Sequence, residues 1–402
     1  MMGAMSGQNV KKIIIAGGGF GGVRAARQLA RLAGVQVTLI SDSDAFTYYP
    51  QLYHAATGGS RAESAIPLAE LLAGTSVQVV TDKVTGLDHA KKTLTTASKT
   101  TYEYDELILA LGSVTNYFGI KGLEEFAYNI KSIDGAERFK LHLHTQLIEE
   151  KRPEAHYVVV GGGPTGIELA GALGEYLRRI MRLHGMATPK YRIELVEAAP
   201  RLLPRLPENQ ARKIQQRLES QGVHVSTGTV VEAETATGLR LKGEEMQTKT
   251  VVWTAGVANN PFFKDNIGEF TLAKNGRVEV DVHMEARPHV YVIGDNASTP
   301  FGGLAQTAVA DANFVAADIA RKLARQPRPA YQSKPGVSVI PVGSHWAAVQ
   351  WGSLQLYGWS GWILRRLADL VAYSDIESWP QALRVWGQDG RHEDDCPLCA
   401  EK

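Results

Sequence analysis

The stretch Lys12–Gly22 reads KIIIAGGGFGG, an apolar run of strand character followed directly by a glycine turn. A helical pattern over Val23–Ala33 comes next, and Val35–Ile40 (VQVTLI) has the composition of a second buried strand. This order of strand, glycine turn, helix and strand is that of a βαβ unit, in which a crossover helix joins two parallel strands. We therefore predict an α/β fold that begins at this unit.

Three glycines of the turn have the spacing Gly17-x-Gly19-x-x-Gly22, with Phe20 between them. Gly17 permits the tight turn, Gly19 lets the backbone approach a pyrophosphate, and Gly22 lets the helix pack closely on the strand. The free N–H groups and the positive dipole end of the helix then face the phosphates. Because the spacing falls between a strand and a helix, the sequence predicts a dinucleotide site that includes these four residues.

A polar residue at the end of the second strand usually binds the ribose hydroxyls of such a dinucleotide. Ser41 follows the strand directly, and Asp42 comes next. We expect Asp42 to bind the ribose. The alternative is that Ser41 does so and that Asp42 is only solvated.

The same order of elements recurs with a second glycine turn. Tyr157–Val160 (YVVV) precedes GGGPTG, in which Gly161, Gly163 and Gly166 repeat the spacing, and the helical pattern Ile167–Leu183 follows. This duplication predicts two nucleotide-binding units in one chain.

The second unit has an acid at the end of its second strand, Glu197, after Arg192–Val196 (RIELV). A carboxylate there accepts from the ribose hydroxyls and repels a 2′-phosphate, so NADH is favoured over NADPH. Arg201, four residues on, is the feature that would soften this preference. Glu168 in the first turn of the helix has two interpretations. It is either an acid that stabilises the helix N-terminus, or a catalytic residue that contacts the substrate near the nicotinamide.

The composition narrows the function classes. The 402 residues suggest two or three domains at roughly 100–200 residues each, and a net charge of +1 gives no reason to expect nucleic acid. No apolar run approaches the roughly 18 residues of a membrane-spanning helix, and Met1–Asn9 does not resemble a signal peptide.

The only cysteines are Cys396 and Cys399, so no thiol is available for catalysis in the folded body. Their Cys-x-x-Cys spacing supplies two of the four ligands of a closed zinc site. We therefore predict no metal site and a flexible tail, with a redox pair as the alternative.

Three later segments resemble the flavoproteins that have two dinucleotide-binding domains: Ile108–Ser113 (ILALGS), Thr250–Val257 (TVVWTAGV) and Val290–Ala297 (VYVIGDNA). The resemblance implies two cofactors, FAD and NADH, and implies that Asp295 binds the flavin ribityl chain. It further implies cofactor contacts at five other positions: Val84, Ala110, Gly112, Ala255 and Gly256.

The absence of cysteines from the body excludes thiol-dependent members such as disulfide reductases, sulfide:quinone reductases and NADH peroxidases. Phe46–Gly58 and Tyr104–Ala127 resemble type II NADH dehydrogenases, as do GGGPTGIELAGAL and LVEAAPRLLPRLP. That resemblance implies a single-subunit NADH:quinone oxidoreductase that uses FAD and does not pump protons. The alternatives are a soluble NADH-dependent reductase of a small electron-carrier protein and a redox-sensing protein that binds NADH and FAD.

The family's quinone-site motif reads Ala-Gln-x-Ala-x-Gln, and Leu304–Asp311 (LAQTAVAD) matches it in part. Gln306 retains the first glutamine, whereas Ala310 replaces the second. Gln306 is therefore expected to offer its amide to flavin or quinone in catalysis. The loss at position 310 leaves the identity of the acceptor open.

We thus predict an α/β fold of two Rossmann-like dinucleotide-binding domains, with an NAD-binding domain (115–274) inserted into an FAD-binding domain (10–114 and 275–326). Residues 327–390 are expected to form an amphipathic helical segment for membrane attachment or dimerisation, and 391–402 a flexible tail.

Gly358–Tyr373 places apolar side chains on one helical stripe and charged ones elsewhere. The stripe consists of Trp359, Trp362, Ile363, Leu367, Leu370 and Val371, and the charged residues are Arg365, Arg366 and Asp369. By resemblance, this segment attaches a cytoplasmic protein peripherally to the inner face of the cell membrane. The alternative is that the stripe packs on the body or forms a homodimer interface.

Overall fold

The computed structural model describes residues 10–151, 153–186 and 190–388. Cys396, Cys399 and the predicted tail lie outside the described residues.

The first unit is built on a six-stranded sheet whose strands come from two distant parts of the chain. In spatial order they are Glu285–Arg287, Val290–Val292, Glu106–Leu109, Lys11–Ala16, Val35–Ser41 and Gln78–Thr81. Every pairing is parallel except that between the first two. The central strands are nearly continuous apolar runs and are buried, because helices such as Phe20–Leu29 and Ala305–Leu323 pack against the sheet.

The second unit repeats this architecture with residues between the two halves of the first. Its four parallel strands lie in the order Val223–Ser226, Arg192–Val196, His156–Val160 and Val251–Trp253. Its long helices are Pro164–Leu183 and Glu208–Ser220. The predicted fold class, two Rossmann-like units with one inserted into the other, is confirmed.

Smaller elements complete the two units. Antiparallel three-stranded sheets comprise Val84–Asp88, Thr93–Thr96 and Thr101–Glu103 in the first, and Val231–Thr235, Gly238–Leu241 and Glu244–Gln247 in the second. Two-stranded pairs are Ala45–Thr47 with Ala65–Pro67, and Ser113–Thr115 with Val257–Asn259. The remaining helices are Leu52–Ala56, Arg61–Ser64, Leu68–Leu71, Leu123–Phe126, Ile133–His144 and Pro261–Asp265, with a π-helical turn at Thr145–Glu149 and 3₁₀ turns at Tyr49–Gln51, Ile267–Glu269 and Gly294–Asn296.

The C-terminal segment contains a sheet as well as the predicted helices. Ser338–Pro341, Ala347–Trp351 and Leu354–Gly358 form an antiparallel sheet. Helices Trp359–Ile376 and Trp379–Gln388 follow it. Among the described residues, none of the helices has the length and apolar character needed to cross a membrane.

Candidate dinucleotide sites

The first glycine turn has the geometry that its spacing predicts. Gly17 has a φ of +112°, and a Cβ atom there would lie 2.1 Å from the Ala110 carbonyl oxygen. A Cβ atom on Gly22 would lie 1.8 Å from the Gly17 carbonyl oxygen. Around Gly19, by contrast, a Cβ atom would meet nothing within 4 Å, and the helix begins at the next residue. Two glycines are therefore required by the turn itself, whereas the third borders the open space that a pyrophosphate would enter.

The second turn reproduces this arrangement. Gly161 has a φ of +119°, and its Cβ atom would lie 2.8 Å from the Ala255 nitrogen. A Cβ atom on Gly166 would lie 1.9 Å from the Gly161 carbonyl oxygen, and one on Gly163 would again meet nothing. The helix begins at Pro164, so its free N–H groups border the same open space.

Glu197 is held against the second turn by backbone donors. Its Oε2 accepts from the Gly162 N–H at 2.5 Å, and its Oε1 accepts from the Ala199 N–H at 2.7 Å. Each carboxylate oxygen keeps a further lone pair. The side chain is thereby fixed at the strand end with acceptor capacity for ribose hydroxyls.

In the first unit, Ser41 rather than Asp42 occupies the position equivalent to Glu197. Ile40 pairs with the last residue of the first strand, as the residue before Glu197 does in the second unit. Ser41 is buried, and its Oγ would lie 2.6 Å from a Cβ atom on Gly18. Asp42 lies one residue further and is exposed. The strand register therefore places Ser41 at the turn, and whether Ser41 or Asp42 binds the ribose stays a prediction.

A polar cluster joins the two units at the carboxyl end of the first sheet. The Ser113 hydroxyl donates to Asp295 Oδ2 at 2.6 Å, and Lys131 Nζ donates to the Ser113 hydroxyl at 3.0 Å. Burial lowers the pKa of Lys131, and the negative charge of Asp295 acts in the opposite direction. Lys131 belongs to the inserted part of the chain, and no motif in the sequence identifies it.

The crossover segments of the two units are hydrogen-bonded to each other. The Asn296 side chain exchanges two hydrogen bonds with the backbone of Gly112, at 2.7 and 2.9 Å, and donates to Asn259 Oδ1 at 2.7 Å. Gly112 and Gly256 both have positive φ angles, +68° and +77°. A Cβ atom on Gly256 would lie 2.4 Å from the tip of the exposed Phe118 ring, and the positive φ would strain any other residue at this position.

Two residues predicted to contact a cofactor have buried side chains. The Phe20 ring lies 4.9 Å from Phe46 and 5.7 Å from Tyr48, within the first core. Val84 begins a strand and is buried in the same core. The side chains of Phe20 and Val84 therefore support the fold of the first unit. These two residues would bind a ligand through their backbone N–H and C=O groups.

Glu168 lies in the first turns of helix Pro164–Leu183, about one turn from Gly163 and Pro164. Burial raises its pKa to about 8, although the positive charge of Arg365 lowers it. A carboxyl group with such a pKa carries a proton at pH 7. This burial distinguishes Glu168 from a simple helix-terminal acid, and the charge of Arg365, from helix Trp359–Ile376, acts on it.

Helix Trp359–Ile376 buries Arg365 and Asp369 against the first unit. Arg365 pairs with Asp369 and donates to the Pro50 carbonyl at 3.2 Å, while the Tyr48 hydroxyl donates to Asp369 Oδ1 at 2.8 Å. Tyr373 stacks on Tyr48 at 4.3 Å. The amphipathic pattern places Arg365 and Asp369 off the apolar stripe but indicates no partner for them, so this cluster was not identified from the sequence.

Gln306 is engaged by the chain that leads into the C-terminal sheet. Its Nε2 donates to the Val337 carbonyl at 3.2 Å, and its Oε1 accepts from the Val337 N–H at 3.0 Å. Gln306 and Ala310 are both exposed, one turn apart on the same helix. The role of Gln306 toward an acceptor stays a prediction, and its amide also fixes the position of Val337.

The two glycine turns match, and each lies between a parallel strand and a helix beside open space that a pyrophosphate could enter. These features define a protein that binds two dinucleotides. The family model described as pyridine nucleotide-disulphide oxidoreductase matches residues 11–312. Two Mycobacterium tuberculosis proteins, the type II NADH:quinone oxidoreductases NdhA and Ndh, are each 31% identical to this chain. The alignments cover 94% and 90% of it and 86% and 85% of those proteins. The chain belongs to the pyridine nucleotide-disulphide oxidoreductase family and, within it, to the type II NADH:quinone oxidoreductases.

Solved structures show the same fold at lower identity. NDH2 from Plasmodium falciparum in complex with NADH superposes with a TM-score of 0.83 at 18% identity, over 94% of this chain and 97% of that one. The sulfide:quinone oxidoreductase of Aquifex aeolicus gives a TM-score of 0.76 at 18% identity, over 93% of this chain and 95% of that one.

Proposed function

We propose that this protein oxidises NADH, transfers hydride to FAD and passes two electrons to a membrane quinone without pumping protons. The observation that carries the proposal is the pair of matching glycine turns in a chain without cysteine before residue 396, in two units whose crossover segments are hydrogen-bonded to each other through Asn296. With no thiol available in the described residues, electrons pass from one dinucleotide to the other without a disulfide relay. The names of the relatives support quinone as the acceptor.

The first unit fits FAD. Gly19 borders open space at the helix N-terminus, where a pyrophosphate would bind, and Ser41 stands at the strand end for the ribose. Asp295 lies at the carboxyl end of the sheet, where a ribityl chain would run, and Lys131 adds a cation to that cluster through Ser113. Bound there, FAD would supply the hydride-accepting and electron-donating chemistry.

The second unit fits NADH. Glu197 offers carboxylate oxygens to the ribose hydroxyls and opposes a 2′-phosphate by charge repulsion. The open space beside Gly163 would admit the pyrophosphate. Ala255, which lies against Gly161, and Gly256 follow the strand Val251–Trp253 and border the same turn. This unit therefore selects the substrate that delivers hydride.

Reduction of a quinone to the hydroquinone takes up two electrons and two protons. Hydride supplies two electrons and one proton, so the second proton has to come from the protein or the solvent. Glu168, with a pKa of about 8, carries a proton at neutral pH. We assign this carboxyl group to proton supply during quinone reduction, and the positive charge of Arg365 would stabilise the carboxylate that remains.

An exposed surface of the C-terminal segment fits a membrane. Seven large apolar side chains there are between 47% and 65% exposed. We name them the C-terminal apolar surface: Trp351, Leu354, Trp359, Leu367, Val371, Trp379 and Leu383. Tryptophan prefers the headgroup level of a bilayer, and a helical apolar face of this kind lies in the interface rather than across it. We assign this surface to peripheral attachment at the cytoplasmic side, and a homodimer interface is the competing use of it.

Stopped-flow measurements on the holoenzyme test the catalytic proposal. NADH should bleach the flavin, and menadione or a ubiquinone analogue should restore its colour faster than a ferredoxin or rubredoxin does. Reoxidation by the carrier protein alone would contradict the proposal and favour a soluble carrier reductase. Slow reduction with no efficient acceptor would favour a redox sensor instead.

A further inference from the structure

A cavity of about 480 Å³ lies outside both glycine turns. Its walls come from residues 51–57 of the first unit, from helix Pro164–Leu183, from residues 341–345 before the second C-terminal strand, and from helix Trp359–Ile376. A helix rises by about 1.5 Å per residue, so Arg179 and Arg182 lie about 16 and 21 Å along their helix from Glu168. Arg365, whose charge acts on Glu168, lines the same cavity, whereas Arg179 and Arg182 lie further along the helix from Glu168.

The cavity has a cationic lining. Four guanidinium groups line it, those of Arg179, Arg182, Arg365 and Arg366, against the two carboxylates of Glu175 and Asp369. This is a formal excess of two positive charges. Guanidinium groups bind phosphate oxygens with paired, charge-assisted hydrogen bonds.

Both carboxylates are bonded within the wall of the cavity. Glu175 accepts from the backbone N–H and the hydroxyl of Ser344. Asp369 accepts from Tyr48 and pairs with Arg365. Each carboxylate therefore already has partners in the protein, and the lining keeps its formal excess of two positive charges.

The cavity also has an apolar rim that continues onto the C-terminal apolar surface. Trp362 lines the cavity, and its ring lies 4.8 Å from that of His345. Trp359, one turn earlier on the same helix, is 65% exposed. An anion with an attached apolar chain would therefore find a partner for each part, whereas a free phosphate would use only the guanidinium end.

We propose that this cavity binds the headgroup of one anionic phospholipid. The phosphate lies at Arg179 and Arg182, and the acyl chains leave past Trp362 toward Trp359. A cavity of this volume is within the range of pockets that hold small molecules. The inference rests on the proposed membrane attachment and adds a specific lipid site to it.

Calorimetric titration of the holoenzyme with dihexanoyl-phosphatidylglycerol, below its micelle concentration, tests the proposal. Wild-type protein should show one saturable site, and dihexanoyl-phosphatidylcholine and inorganic phosphate should bind at least about tenfold more weakly. Arg179→Gln combined with Arg182→Gln should weaken binding by about thirtyfold, and exposed Arg182→Gln alone by about fivefold.

A matched control removes two positive charges elsewhere. Arg212 and Arg240 are exposed and pair with the exposed Glu208 and Glu232. Arg212→Gln combined with Arg240→Gln should leave lipid binding unchanged. Equal binding by the cavity variants and the wild type would overturn the proposal, and so would equal binding of inorganic phosphate.

Menadione reduction separates this inference from the catalytic proposal. The cavity variants should reduce menadione with NADH as fast as the wild type does. A wild-type protein that reduces menadione but has no saturable lipid site overturns the lipid site alone. Saturable lipid binding without menadione reduction supports the lipid site and contradicts the proposed catalysis.

Discussion

Arg365 and Asp369 form a buried ion pair one turn apart on the inward face of the C-terminal helix. The pair contacts the Pro50 carbonyl and the Tyr48 hydroxyl of the first unit. The helix is therefore fixed to the body by charged and aromatic residues together with Leu370 and Ile376, whereas Trp359, Leu367 and Val371 remain exposed. This division explains how one helix can both dock on the protein and present an apolar surface.

Asp369→Asn tests the energetic role of this pair. The change leaves the buried Arg365 guanidinium without its carboxylate, and removing one partner of a buried pair costs about 3–5 kcal/mol. We expect the free energy of unfolding in urea to fall by that amount. The control is Asp88→Asn in the exposed pair with Lys91, for which about 0–1 kcal/mol is expected. Equal effects of the two changes would contradict the assignment.

The raised pKa of Glu168 predicts a pH dependence. Because burial raises the pKa to about 8, the carboxyl group is protonated below pH 8 and loses its proton above it. Quinone-dependent reoxidation should therefore slow as the pH rises through about 8. Glu168→Gln should reoxidise slowly at every pH without this step, whereas NADH should still reduce its flavin at the wild-type rate. A variant impaired only in reduction by NADH would place Glu168 at the nicotinamide instead.

The same group affects stability with a defined sign. Its pKa is higher in the folded protein than the ordinary value of 4.5, so the folded state binds the proton more tightly. The contribution of Glu168 to stability is fully present below about pH 4.5 and is lost as the pH rises toward 8. Glu168→Gln should make the unfolding midpoint less dependent on pH across this range.

Glu197→Gln should narrow the preference for NADH. The glutamine can still accept from the Gly162 N–H, as the carboxylate does at 2.5 Å, but it no longer repels a 2′-phosphate. We expect the ratio of kcat/KM for NADH over NADPH to fall by about tenfold, which corresponds to about 1.4 kcal/mol. Glu208→Gln, an exposed change of the same charge, should leave the ratio as it is. A wild-type enzyme that prefers NADPH would contradict the role of Glu197.

Substitution of Gly19 or Gly163 by valine tests which dinucleotide each glycine turn binds. A Cβ atom at Gly19 or Gly163 meets no protein atom within 4 Å, so both variants should fold. Gly19→Val should purify colourless, because its side chain fills the space of the FAD pyrophosphate. Gly163→Val should purify yellow, yet NADH should bleach it only at concentrations at least about tenfold higher. A yellow Gly19→Val protein would show that the assignment of the first turn is wrong.

Local patterns were sufficient for much of the fold. The strand predicted at Arg192–Val196 has those bounds, and the strands predicted at Val35–Ile40 and Tyr157–Val160 are each one residue longer in the structure. The first helix begins at Phe20 rather than at Val23, because the turn places its last glycines inside the helix. Each of these elements depends on residues close together in the sequence.

The rest of the site depends on contacts between distant segments. Lys131 meets Ser113 only when the inserted unit folds against the first, and Arg365 reaches Pro50 across 315 positions. The choice between Ser41 and Asp42 depends on strand register, which composition does not determine. The strands Ser338–Pro341, Ala347–Trp351 and Leu354–Gly358 were not predicted, because only the helical stripe from Gly358 onward was recognised in this segment.

The C-terminal apolar surface can be tested without removing the segment, since deletion would also remove Arg365, Asp369 and Tyr373 from the body. We propose the triple variant Trp359→Ser, Leu367→Ser and Trp379→Ser, whose side chains are 65%, 47% and 58% exposed. Each substitution removes about 1 kcal/mol of favourable free energy of membrane binding. The three together should reduce partition into anionic liposomes by about a hundredfold. Menadione reduction should be unchanged.

The matched control for this surface changes exposed apolar residues elsewhere. Val230→Ser, Ile267→Ser and Val282→Ser alter side chains that are 48%, 55% and 59% exposed, and they should leave co-sedimentation with liposomes unchanged. Sedimentation velocity separates the competing use of the surface. If wild-type protein has twice the monomer mass, does not bind liposomes, and becomes monomeric only in the Trp359 triple variant, the surface is a homodimer interface. If it binds liposomes and the triple variant does not, the same residues form the membrane face, because the control has lost as many exposed apolar side chains.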